Sequence, residues 1–127
     1  MPMVLSADPA DRFAVLTATD PCTIEEWRSA MAALLEHAVY RARGAVLVDR
    51  RKCTPPDNAF VSEMNLFFTR RKSDVSIMIA AVVVSNDAGF DMGQKTERAN
   101  PDASIRTFRS YEDARRWLTS QSALPGG

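Results

Sequence analysis

Residues 76–84 read Ser76-Ile-Met-Ile-Ala-Ala-Val-Val-Val84. After the serine every position is apolar, on both parities of a period-two repeat. A strand with one wet face alternates, whereas one buried on both faces does not. This run therefore reads as a central strand covered on both sides, which points to parallel strands sandwiched by helices. Counted from Val75 it is ten residues long. A helix needs about 20 to cross a bilayer, so no membrane insertion is expected.

Moving upstream, Gly44-Ala-Val-Leu-Val-Asp-Arg-Arg-Lys-Cys-Thr-Pro-Pro-Asp57 contains a second short apolar run. Ala45 to Val48 reads as another buried strand. It stops abruptly at Asp49, Arg50, Arg51 and Lys52. Thr54-Pro-Pro-Asp57 then predicts a helix start, with proline tolerated in the first positions and Thr54 as its cap. Phe60, Val61, Met64, Phe67 and Phe68 give that helix a buried face, and Arg70, Arg71 and Lys72 suit the negative end of its dipole.

Earlier still, Thr23-Ile-Glu-Glu26 is a capping box. Behind it Ile24, Trp27, Met31, Leu34, Leu35 and Ala38 form one stripe at helical spacing, with Gly44 just past the end. Arg12 to Thr19 is β-prone and is expected to pair with Met3–Leu5 in a hairpin across Asp8-Pro9. Downstream, Asn86, Asp87 and Gly89 make a turn, and a weaker helix is expected over Phe90 to Arg98. Ser104 to Phe108 is a strand with Ile105 and either Thr107 or Phe108 facing inward. Ser110-Tyr-Glu-Asp113 starts a short amphipathic helix through Tyr111, Ala114, Trp117 and Leu118.

The resulting order is ββαβαβαβα: an α/β fold with a small mixed, mainly parallel sheet, right-handed crossovers and flanking helices. At 127 residues the chain suits one domain over about residues 1–120, with 121–127 as a flexible tail. Sixteen basic and sixteen acidic residues cancel. A dedicated nucleic-acid binder carries a basic excess, so none is expected. No secretory leader is recognisable, and a cytoplasmic location is expected. Two cysteines, Cys22 and Cys53, make neither a CxxC pair nor a disulfide framework.

Four segments carry a resemblance. "TIEEW" opens the first helix, "AVLVDRR" ends a strand, "IMIAAVVV" is the central strand, and "IRTFRSYEDARRWL" closes the domain. Together, over about residues 10–118, they resemble the STAS-like family of anti-sigma-factor-antagonist-like domains. The match is to its small stand-alone bacterial proteins of unassigned function. The resemblance implies a small mixed sheet flanked by helices on one side, and a regulatory protein partner. In that family a serine in an Asp-Ser-Ser-Gly type motif takes phosphate and breaks partner binding. Here the aligned residues are Asp57-Asn58-Ala59-Phe60. Asp57 matches, Asn58 stands at the acceptor position and the glycine is absent, so the phospho-switch does not carry over.

In open α/β sheets, ligands sit beyond the carboxyl ends of the strands. Three such ends converge here: Thr19-Asp20, Asp49-Arg50-Arg51 and Ser85-Asn86-Asp87. Candidate binding residues are therefore Asp49, Arg51, Thr54, Asp57, Asn58, Phe60, Met64, Phe67, Asp87 and Phe90. Asp49 and Arg51 equally suit a structural pair. Asp20, Asp49, Asp57 and Asp87 match no metal-binding loop, and the adjacent cations oppose one, so no metal and no cofactor is expected. Cys22 before a helix start and Cys53 in the strand–helix loop are a conceivable nucleophile or redox pair, but the one histidine, His37, lies late in the first helix, at the opposite edge.

Three functional classes follow, the third and least favoured being an enzyme using Cys53 or Asp49. The first is a non-enzymatic interaction or regulatory module, self-associating as a homodimer through the wide apolar face of the second helix. The second is a small-molecule or lipid pocket at the same edge, walled by Phe60, Phe67 and Phe90 and clamped by Arg51. A flat apolar surface favours the first, and a cavity between that helix, the next one and the sheet favours the second.

Overall fold

A computed structural model describes residues 3–8, 10, 12–101 and 103–122. Two strands, β1 (Met3–Ala7) and β2 (Ala14–Thr19), form the expected hairpin. Pro9 at its turn lies outside the described residues. Then come α1 (Ile24–Glu36), α2 (Ala38–Arg43) and β3 (Ala45–Lys52). They are followed by α3 (Asn58–Arg70), the single turn α4 (Lys72–Val75) and β4 (Ile79–Val83). The chain continues through α5 (Asp87–Ala99), β5 (Ser104–Phe108) and α6 (Tyr111–Ser122). The expected tail beyond residue 122 lies outside the described residues.

The sheet order is β1-β2-β3-β4-β5, with β1 antiparallel and the other neighbours parallel. Each parallel step moves one strand in the same direction. Right-handed crossovers then put α1, α3 and α5 on one face. There they bury Leu16, Val46 and Ala80 of the strands against Trp27, Met31 and Phe68 of the helices. After the edge strand β5, the chain turns back across the other face. Ala114 and Leu118 of α6 cover Leu47, Ala81 and Val83 there. The helices therefore flank both faces, not the single face that the family resemblance implied. β4 is buried on both sides as its double parity requires, but it is the fourth strand, and β3 occupies the centre.

Boundaries moved for local reasons. The first helix breaks at His37, which turns extended (φ −69°, ψ 135°) and takes the Val39 amide on its own Nδ1 at 3.2 Å. Gly44 adopts φ +69°, and a Cβ there would sit 3.0 Å from the Ile77 carbonyl oxygen. That close approach lets the Gly44 carbonyl accept from Ile79 N–H at 2.7 Å, which starts β4 three residues late and leaves Ile77 60% exposed. In β5 the inward residue beside Ile105 is Thr107, while Phe108 points to the α6 side and stacks at a tilt on Trp117. The Thr23 hydroxyl does accept from Glu26 N–H at 3.2 Å. On the reciprocal arm of the capping box, Glu26 Oε2 is buried without a partner among the described residues.

Candidate functional site

Parallel pairing brings the carboxyl ends of β2, β3, β4 and β5 to one rim. Thr19 lies beside Lys52, Asp49 beside Val83, and Val83 beside Phe108. The β3–α3 loop is tied down there by Asp20. Its carboxylate accepts from Thr54 N–H at 2.9 Å and from the Thr54 hydroxyl at 2.5 Å. These hydrogen bonds hold the Asp20 carboxyl below its ordinary range. Thr54 thus anchors a loop and does not cap the helix. The cap of α3 is Asp57, whose Oδ1 accepts from Phe60 N–H at 2.8 Å.

Strand parity divides what the sequence placed together. Asp49 and Arg51 face the α6 side. Arg51 donates to both Asp49 oxygens, at 2.9 and 2.8 Å, and its guanidinium lies 4.7 Å from the centre of the Tyr111 ring. Burial raises the Asp49 carboxyl, but hydrogen bonds from the Arg51 side chain and amide outweigh it and the net shift is downward. Arg51 is thereby committed to a pair. Asp87 is exposed and bridges Arg109 at 2.6 Å, and Arg109 also covers Phe90 at 4.8 Å. Asn58 is exposed on the first turn of α3.

Arg50, between Asp49 and Arg51, points to the opposite face and is only 8% exposed. It follows Val46 and Val48 in the same alternation, so the sheet itself carries a cation under the helices. Its Nη2 donates to Cys53 Sγ and to the Thr54 carbonyl oxygen, both at 3.3 Å. Its Nη1 is buried and has no hydrogen-bond partner among the described residues.

Arg50 forms part of the wall of a cavity of about 70 Å³ between the sheet, α1, α3 and α5. Val48, Ala80, Val82 and Ile105 supply its sheet side, and Met64, Phe68 and Met92 supply helix side chains. Its rim includes Ser85 and Asn86, which are exposed. Two glycines of α5 line it as well. A Cβ on Gly93 would stand 2.3 Å from Thr107 Oγ1, and one on Gly89 would stand 3.1 Å from Val84 Cβ. The absence of side chains there brings α5 down onto the sheet and sets the depth of the cavity.

None of the expected walls Phe60, Phe67 and Phe90 lines this cavity, nor does Arg51, whereas Met64 among the other candidates does. Phe60 and Phe67 instead pack edge-on against Trp27, at 6.4 and 5.3 Å between ring centres. Phe68 makes a third edge-to-face contact with Trp27 at 5.5 Å. Such pairs add about 0.5–1.5 kcal/mol each beyond their buried area. The wide apolar face of α3 is accordingly used up between α1 and α5. Of its apolar residues from Phe60 to Phe68, Leu66 is the one that is exposed, at 41%.

Cys53 also borders the cavity. Burial pushes its thiol up to about 11, against the pull of the Arg50 charge, and burial raises Cys22 too. Both are neutral thiols near pH 7, unsuited to nucleophilic attack. Among the described residues no three His, Cys, Asp or Glu side chains gather to hold a metal ion, and no helix is long and apolar enough to cross a membrane.

Sequence reasoning missed Arg50 because it sat in a run of three cations that reads as a solvated strand end. The alternation from Val46 was the signal that would have found it. No protein-family model, no curated protein and no solved structure matches this chain.

Proposed function

We propose that this protein is a small-molecule-binding module whose ligand enters between α3, α5 and the carboxyl ends of β3 and β4. One observation carries the reading: the wall of an apolar cavity includes a buried arginine, the one charged side chain there among the described residues. A buried polar group without a partner costs about 1–3 kcal/mol, so such groups persist where they serve something besides folding. The mouth of the cavity at Ser85 and Asn86 lies past the carboxyl end of β4, where open α/β sheets commonly place ligands. The residues in contact with the ligand are Arg50, Met64 and the α5 glycines, and Asp49 with Arg51 supports the rim from the far side.

The test is to fill the cavity. Ala80→Leu adds three carbons on its floor. Small organic molecules screened by thermal shift should raise the melting temperature of the unaltered protein and leave that of Ala80→Leu unmoved. A screen in which no compound separates the two proteins would end this reading.

A regulatory, STAS-like setting remains part of the proposal, with the ligand as the signal and a protein partner as its reader. The small mixed sheet agrees with it, while the helices on both faces depart from it. Self-association is a second reading, now moved from α3 to β1. That strand is an outer one and Val4 on it is 52% exposed. Both cysteines are free thiols, which suits a reducing compartment such as the cytoplasm.

A further inference from the structure

We propose that the ligand is a small monocarboxylic acid whose carboxylate meets Arg50 and whose apolar tail lies over Ala80, Val82 and Ile105. The proposal rests on the pocket reading above and gives it a chemical class. Charge comes first. Among the described residues Arg50 is the one charged side chain lining the cavity. A single negative charge neutralises it. A doubly charged phosphate would bring a second charge against valine, alanine and methionine walls, where it has nothing to pair with.

Donor geometry points the same way. Nη2 is turned to Cys53 and Thr54, while Nη1 is left with its hydrogens unclaimed among the described residues. A guanidinium stays protonated at every relevant pH, and a carboxylate is the planar acceptor that fits it. The start of α5 reinforces the site. Asn86 and Gly89 line the cavity, and α5 runs for 13 residues, so the positive end of its dipole adds to the Arg50 field. Size sets the tail. A cavity of about 70 Å³ suits a short tail, such as that of propionate or butyrate.

Trp27 lines the cavity, while Trp117 packs on the far side of the sheet beside Phe108. Trp117→Phe therefore leaves Trp27 as the reporter. In that protein, titrations of butyrate, butyramide and inorganic phosphate at constant ionic strength are compared by fluorescence. We expect butyrate to bind at least tenfold more tightly than butyramide or phosphate, and Arg50→Met to erase the preference. Equal binding of acid and amide, or unchanged discrimination in Arg50→Met, would overturn the acid class and leave the pocket standing. Tighter binding of phosphate overturns it as well. If neither butyrate nor butyramide moves Trp27 and Ala80→Leu changes no compound's effect, the pocket reading falls too. Should Arg50→Met fail to fold, the acid–amide comparison decides alone.

Discussion

Arg50 sets two opposing effects against each other within one side chain. Its buried Nη1 costs about 1–3 kcal/mol, and the two hydrogen bonds of Nη2 return a similar amount. Met fills much the same volume without charge. Arg50→Met should therefore leave unfolding stability within about 1 kcal/mol of the parent or raise it, measured by urea denaturation without added ligand. An arginine kept for the fold, as half of a buried pair, would instead lose about 3–5 kcal/mol on truncation. The contrast with Arg51 is instructive. One position along the chain, the same residue type lies over Tyr111 and locks onto Asp49. The sequence made both look alike, because charge runs are read without parity. Only the alternation along β3 separates them.

At the scale of elements, α5 is where local propensity misleads. Gly89 and Gly93 weaken the helical pattern, and each costs up to about 1 kcal/mol relative to alanine in a helix interior. The helix forms because Asn86 caps it, accepting from Gly89 N–H at 2.8 Å, and because the bare backbone at Gly93 seats against Thr107. Gly93→Ala gains propensity but drives a methyl into the Thr107 side chain, at 2.3 and 2.6 Å from its Oγ1 and Cγ2. Overpacking of this kind costs about 1–3 kcal/mol, so the net change should be destabilising, read as a lowered thermal midpoint. Gly89→Ala, facing only Val84 and its own cap, should cost less. Capping residues were legible at Thr23 and Ser110, whose hydroxyls accept from Glu26 and Asp113 N–H. At α3 the cap was misassigned to Thr54. Two prolines delay the helix, and Thr54 has a stronger partner in Asp20 across the sheet. A contact 34 residues distant in sequence leaves no local trace.

For the molecule as a whole, the hydrophobic patterns of the four later strands and their intervening helices were enough to read a mostly parallel sheet. They also placed the rim where Asp49 and Val83 finish side by side. What the pattern could not distribute was the helices between faces. The direction of the last turn after β5 decides that, and a short amphipathic helix fits either side. The edges of the sheet bear on assembly. If β1 joins two copies, sedimentation velocity should resolve a dimer at high protein concentration, and Val4→Lys should return it to monomer. A single monomeric boundary across the concentration range would leave β1 as an ordinary outer strand.

The crossing of α6 has a consequence for how the chain matures. Leu47, Ala81 and Val83 wait for Ala114 and Leu118, which the ribosome delivers after every strand has been made. Until those two side chains emerge, the nascent sheet has an oily back, and a holding chaperone would find its footing there.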